Sequence, residues 1–419
     1  MISDPASTVS LSASIDAGRW DDFVGQSPFG HFMQLSQWGD YKSAFGWQPL
    51  RFGVETGGCL VAGAQVLIRR PALSPWAFAY CPRGPVLDPE DEGTARVLYP
   101  AIHDWCRDNR VVFLRIEPEY ANRKEIRDRL LSMGFRQTAD TNQPRCTLLV
   151  DLNAEEGSLF KSLDRNSRRH IIRAEENGVT VAEGGEEDIP DFFAMMEEVG
   201  RQKRIPVHSE SFYREAYRCF RPAGICRLYM ARKEAMPVAG IMVFLFRGRG
   251  VHLWAGFSEL GRQLCVGYKL HWSAMLAVKD LGGTCCDLWG IPDEIADMME
   301  RGDPVDSSRS DWMWGIYRFK KGFGGEIACY AGTFDYVYKP SAYAFLQGFI
   351  RRRHEAISTF LDRMRSRIGR SQKRRASGIV GKRDPELGDR NSGKEVNRSS
   401  CSVHPEKTGI GIRKFGIAD

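Results

Sequence analysis

A rhythm that runs through this chain twice constrains its fold more than any other feature. Stretches of helical period are closed by glycine and followed by short apolar runs with tight turns. In the first half, residues 94–109 place Leu98, Ile102 and Trp105 at helical spacing, and "VVFLRIEP" (111–118) reads as a buried strand. Residues 124–133 read as a second helix, with Gly134 positioned to close it. Strands at 51–54 and 60–68 are split by "TGG", a hairpin signal. In the second half, 159–176 is a basic amphipathic helix closed by Gly178, and 188–204 and 209–220 read as two further helices. Residues 226–258 then give three strands with turns at 234–237 and 247–250. A helix over 267–281, the strand "TCCDLWGI" and the ribbon "YRFKKGFGG" (317–325) follow. A chain of 419 residues is too long for one ordinary domain. The pattern therefore predicts a mixed α/β (α+β) fold, duplicated, with partly antiparallel sheets.

Charge is unevenly placed. Residues 351–375 hold ten Lys/Arg against Glu355 and Asp362, a local +8 that leaves −2 for the rest of a chain whose total is +6. This describes a near-neutral body with a basic tail. Within 351–370, Ile357, Phe360, Leu361, Met364 and Ile368 recur at helical spacing, as in a basic amphipathic helix that could lie on an anionic membrane or on RNA phosphates. Residues 371–419 have few apolar side chains and read as a disordered tail. The N-terminus lacks the basic start and apolar run of a secretion signal, and the longest apolar run, "GIMVFLF", falls far short of the roughly 20 residues a membrane span needs. These features point to a cytoplasmic protein, with residues 351–375 as the segment for any peripheral contact with the membrane's inner face.

Several chemistries find no support. Eleven scattered cysteines without a CxxC pair fit buried thiols in a reducing compartment, and no His/Cys cluster suggests a metal. Neither a phosphate-binding GxxxxGK[ST] loop nor a GxSxG elbow occurs. Two stretches remain open. "GRQLCVGYKLHWSAML" (261–276) sets Gly267 between a strand and a helix, the context for phosphate at a helix N-terminus or for a plain connection. "YCPRGPVLDP" (80–89) is stiffened by three prolines, with Gly84 permitting an unusual turn. Its Arg83 either grips a carboxylate or phosphate or simply turns a packing corner.

The ordered set "HFMQLSQWGDYKSAFGWQP", "YCPRGPVLD", "LFKSLDRNSRRHIIRAEENGVTV", "VAGIMVFLF", "HLWAGFS", "CDLWGI" and "GIYRFKKGFGGE", closed by Pro340-x-x-Tyr343, resembles the FemABX family. These are cytoplasmic transferases that add amino acids from aminoacyl-tRNA to the peptide stem of peptidoglycan precursors. The likeness runs from about His31 to Phe345. It implies two GNAT-like domains with mixed, largely antiparallel sheets flanked by helices. The first would be 1–150 plus about 333–350 and the second 151–332. No heptad run is present for the coiled-coil arm of some members.

The resemblance also implies roles. Phe319 and Lys320 match the family's catalytic pair, Lys320 as the cation that stabilises charge on the ester carbonyl. Tyr317 belongs to the same ribbon, and Gly322 and Gly324 would let the backbone approach the tRNA end. Lys42, with Trp38 in the same motif, matches a lysine that contacts precursor phosphates, and Arg83 lies in the Tyr-x-Pro-Arg-Gly-Pro loop. His208 and Phe212 stand where the family has Arg and Tyr, a departure that puts precursor binding on different chemistry. Trp254 sits where an aromatic is expected. The implied partners are aminoacyl-tRNA as co-substrate and a UDP-linked or lipid-linked precursor, with no cofactor and a monomeric protein. Two alternatives stand beside this: an acyl-CoA-dependent N-acyltransferase, and a non-catalytic RNA- or membrane-binding protein on the same scaffold.

Overall fold

The structure is a computed structural model that describes residues 8–11, 15–72, 74–203, 205–305, 308–309 and 311–348. The expected basic helix at 351–370 and tail at 371–419 lie outside these residues. Residues 339–348 belong to a second compact unit and are helical from 340. Everything below concerns the first unit.

Two seven-stranded sheets form the frame. The first runs Thr8–Leu11, Gln48–Thr56, Cys59–Arg69, Ala77–Pro82, Val111–Glu117, Thr333–Val337, Arg136–Thr138. The second runs Val179–Gly184, Cys226–Lys233, Met236–Phe246, Arg249–Phe257, Cys285–Asp287, Cys146–Asp151, Glu326–Cys329. Read in these orders they are alike strand for strand. Four antiparallel strands lead to one parallel pair, and two antiparallel strands finish each sheet. Each parallel pair is joined by a helix, Glu92–Asp108 in the first sheet and Val266–Asp280 in the second, because parallel neighbours need a crossover. The duplication suggested by sequence rhythm is thus explicit in strand direction.

The sixth strand of the first sheet comes from beyond the whole of the second sheet's sequence, whereas the second sheet is built from one continuous stretch. Thr333–Val337 closes the first, and Cys146–Asp151, which the sequence reading placed in the first domain, pairs inside the second. The strand Thr333–Val337 is pinned by charge. Arg115 on its neighbour donates from Nε and Nη2 to both oxygens of Asp335, each at 2.8 Å, with both residues buried.

Three stretches differ from expectation. The basic helix at 159–176 is two helices, Glu156–Ser162 and Arg165–Glu176, because the Asp164 carboxylate accepts from Ser167 N and caps a new start. The ribbon at 317–325 is mostly helix: Trp312–Lys321 starts at Asp311, whose side chain accepts from Met313 N and Trp314 N. Cys146 and Cys329 are a disulfide rather than thiols, since the strand register opposes them directly with Cα atoms 4.2 Å apart. The other described cysteines are free. Among the described residues the longest helix is Glu92–Asp108, and none is long and apolar enough to cross a membrane.

Removing one partner of a buried ion pair strands the other charge. Asp335→Ala should therefore lower stability by about 3–5 kcal/mol. Denaturant titration of the variant reads this, and a loss below about 1 kcal/mol would show that Arg115 finds another partner.

Candidate active site at the junction of the two sheets

The site assembles around Asp287, the last residue of a short strand and wholly buried. A carboxylate in that position must be paired. It takes Arg249 Nη2 and Thr147 Oγ1, and it accepts the backbone N–H of Trp289 at 2.8 Å. Arg249 turns its other nitrogen to Glu119 of the first half, at 2.9 Å, and donates to Tyr330 Oη at 2.9 Å. Glu119 also faces Arg83 Nε at 3.5 Å and His31 Nε2 at 3.8 Å. Burial alone would push the Glu119 carboxyl up, but Arg249, His31 and Arg83 hold it down at about 2. His31 is lowered by burial to about 3 and so is neutral near pH 7. Its Nδ1 accepts from Met33 N at 3.1 Å, which leaves the hydrogen on Nε2, facing Glu119.

Trp289 is the hinge of this arrangement. Its φ of 62° is left-handed, a conformation a bulky residue holds only when its surroundings fix it. Asp287 holds its N–H, Arg83 lies over its ring at 4.9 Å, and Lys320 donates to its carbonyl. Arg83 is itself left-handed, with φ 48°. The sequence reading gave the unusual turn to Gly84. The left-handed residue is its neighbour Arg83, while Gly84 itself begins a cis peptide bond to Pro85 and also packs closely, because a Cβ there would lie 2.6 Å from the Gln34 side chain. Gln34 fixes the loop by donating to Pro82 O at 2.7 Å.

Lys320 stands in the last turn of the Trp312–Lys321 helix, half-buried. Its Nζ donates to Trp289 O at 3.0 Å and Gly290 O at 2.8 Å. Phe319 braces the turn against Tyr268 at 4.8 Å, His271 at 5.2 Å and Phe323 at 5.3 Å. Lys321 is exposed and reaches Gly325 O at 3.3 Å, away from this group. Tyr317 is buried against Trp314 and belongs to the core. Gly322 is small because a Cβ would come within 2.3 Å of Ser167 Oγ. Gly324 has φ 81°, so a turn requires it.

The remaining candidates meet at the aromatic interface between the halves. Lys42 Nζ lies 4.7 Å over the Phe212 ring, and His208 stacks on the same ring at 3.6 Å. Phe212 is buried and packs on Trp254 at 5.7 Å. Trp38 is buried among Phe32, Tyr41 and Phe220. The candidates thus form two groups, Lys320–Phe319–Arg83 and Lys42–His208–Phe212–Trp254. One strand, Arg249–Phe257, serves both, with Arg249 in the first group and Trp254 in the second.

Sequence reasoning did not single out Glu119, Arg249, Asp287, Trp289 or His31. The available signal was an acid inside the apolar strand "CDLWGI", which had to find a buried cation. The glycines of 261–267 have packing reasons: a Cβ on Gly261 would lie 2.1 Å from Val238 O, and one on Gly267 3.2 Å from Phe257. A depression of about 440 Å³ between the Ala17–Gln26 helix and the turn at Gly58 contains none of the candidates.

The FemAB family's sequence model matches residues 15–232 and 224–351. The protein named lipid II:glycine glycyltransferase in Staphylococcus saprophyticus is 25% identical over 227 residues, 52% of this chain and 55% of that one. Its namesake in Staphylococcus aureus strain MRSA252 is 23% identical over 223 residues, 51% and 53% of the two chains. The chain thus spans about half the length of these relatives. The crystal structure of FemX aligns with a TM-score of 0.69 at 18% identity, covering 81% of this chain and 99% of that one, a likeness of fold.

The Glu119 centre makes a prediction in acid. In the unfolded chain His31 gains a proton below about pH 6.5, and Glu119 below about 4.3. In the fold they do so only near 3 and 2. Both take up protons on unfolding, so their contribution is full above about pH 6.5 and is lost as pH falls toward 2–3. Between about pH 6 and 4.5, His31→Gln should flatten the slope of stability against pH by about 1.4 kcal/mol per unit. Denaturant titrations at several pH values measure this, and equal slopes would mean that His31 is charged in the fold.

Proposed function

Because this chain belongs to the FemAB family, we propose that it is an aminoacyltransferase moving an amino acid from aminoacyl-tRNA to an amine on the peptide stem of a peptidoglycan precursor. The observation that carries this reading is the fixed position of Lys320. Two backbone carbonyls hold its ammonium at a helix end, beside Trp289 and the Arg83 loop. The name of the relatives favours a lipid-linked acceptor and a cell-wall bridge as product.

The chemistry asks little else of the protein. The acceptor amine attacks the ester carbonyl that joins the amino acid to the tRNA ribose. A C–N bond forms, the ester C–O bond breaks, and the proton lost by the amine ends on the leaving ribose hydroxyl. Negative charge builds on the carbonyl oxygen between these events, and an ammonium already held in place stabilises it without reorganisation. Phe319 keeps that ammonium's turn rigid through its contacts with Tyr268 and His271. Glu119 is a poor base, because its basicity is spent on Arg249 and Arg83. A free amine of the acceptor therefore attacks without help from that carboxylate. Lys42, His208 and Phe212 form the cation–aromatic group that meets the precursor's phosphates. Here a stacked imidazole replaces the arginine expected from the family pattern.

Transfer is tested with purified protein, charged tRNAs, and either the UDP-linked or the lipid-linked precursor, with product read by mass. Lys320→Met should lower kcat by about 10²–10³-fold or more. It removes donors from two carbonyls, so stability should fall by only about 1–2 kcal/mol. Near-normal transfer by the variant would remove Lys320 from the mechanism. Product from acyl-CoA but from no charged tRNA would replace the donor.

A further inference from the structure

Resting on the reading of a tRNA-borne donor, we propose that the solvent face of the Arg165–Glu176 helix is the surface that receives RNA phosphates. Arg165, Arg169 and Arg173 recur every fourth residue and are all exposed. They stand about 6 Å apart along the helix. The opposite face, Ser167, His170, Ile171 and Ala174, is buried. Lys161 extends the stripe before the helix begins, and the one acid between, Asp164, is engaged as the helix cap.

Several exposed arginines elsewhere on this protein are neutralised. Arg96 pairs with Glu92, Arg123 with Glu90, Arg218 with Glu186 and Arg301 with Asp303. Arg165, Arg169 and Arg173 form no ion pair among the described residues. Arg169 donates instead to Asn166 at 2.7 Å, and the nearby Glu175 is taken by Lys269. The helix N-terminus adds its own positive end to this face. Arg168, whose Nη1 donates to Leu163 O at 3.0 Å, stiffens that end.

Position decides what such a face can serve. The helix touches the catalytic turn directly: Asp164 N–H donates to Gly322 O at 2.9 Å, two residues beyond Lys320. His170 stacks on Tyr268 at 4.8 Å, and Tyr268 packs on Phe319 at 4.8 Å. An RNA whose 3′ ester sits at Lys320 carries a charged phosphate at every nucleotide behind it, and this helix is an adjoining surface on which three exposed arginines form no ion pair among the described residues. Guanidinium groups suit phosphate oxygens bidentately. A membrane fits less well. An interfacial helix must sink its apolar face into lipid, whereas here that face is spent on the core and Ile172 is the exposed apolar residue of the arginine side.

The test compares binding of uncharged tRNA by the full chain and by Arg165→Gln/Arg169→Gln/Arg173→Gln, across about 50–300 mM salt. Each lost phosphate contact lowers the slope of log K against log salt by about 0.7–0.9, so the triple variant should fall short of wild type by about 2–3. The matching Lys triple should restore most of the slope, which excludes misfolding as the cause. Arg96→Gln/Arg107→Gln/Arg301→Gln, removing equal charge elsewhere, should keep it. An unchanged slope in the first triple overturns the proposal, while transfer from charged tRNA by wild type would leave the donor reading standing. Loss of binding to phosphatidylglycerol vesicles with tRNA binding intact would overturn it in favour of a membrane. No transfer from any charged tRNA would remove the donor reading, and this proposal with it.

Discussion

The buried carboxylate of Asp287 is the interaction on which the rest of this structure depends. A charge taken wholly out of water costs several kcal/mol unless geometry and hydrogen bonds return it. Asp287 recovers that cost through Arg249, Thr147 and the Trp289 N–H. Each partner does something further. Arg249 carries the chain of charges to Glu119 and so ties the second sheet to the first half. The bond to Trp289 holds a bulky residue in a left-handed conformation that it would otherwise leave. That conformation points the Trp289 carbonyl at Lys320. The position of the proposed catalytic ammonium is thus set by a carboxylate it never touches.

Duplication explains why the site lies where it does. Two sheets of the same strand order are linked because the first takes its sixth strand, Thr333–Val337, from sequence beyond the second. This brings the chain back after the Trp312–Lys321 helix to the first sheet. Lys320 therefore lies near the crossing: Trp289, whose carbonyl it binds, and Arg83, which lies over the Trp289 ring, come from different halves. The aromatic layer that joins the halves, with Phe32 stacked on Phe244 at 4.8 Å, extends from Trp38 to Trp254. Lys42 and His208 sit on its half-buried margin.

Sequence carried some of this well and some of it not at all. The long helices at 94–109 and 267–281 were legible because their apolar period is sustained, and the structure ends them within two residues of expectation. The break at Asp164 was not legible, because a side-chain cap decided it inside an otherwise helical pattern. The 317–325 segment looked like a ribbon because glycines and aromatics obscure helical period. Asp311, six residues earlier, set the helix. Phe319 and Lys320 stood out by resemblance. Their supports did not, since Asp287 and Glu119 lie 38 and 130 residues from the arginine that joins them, and no local pattern encodes such a pairing.

The ground beneath Phe319 adds no charge of its own beside the proposed catalytic cation. His252 and His271 face each other Nδ1 to Nδ1 at 2.9 Å, both fully inside the protein. Burial, with Lys320 adding to it, lowers His252 to about 3 and His271 well below its usual range. The pair is therefore neutral, and only one of the two facing nitrogens carries a hydrogen. The tautomers are coupled: a hydrogen on His271 Nδ1 places that of His252 on Nε2, 3.7 Å from Cys286 Sγ. A neutral, mutually satisfied pair fills the space under Phe319 at no cost in buried charge, and it sets no second cation against Lys320. Two aromatic hydrocarbons could fill the same volume, but they would not fix each other's ring orientation through a shared hydrogen bond. The imidazole pair thus gives the Phe319 turn a rigid floor without altering the charge balance above it.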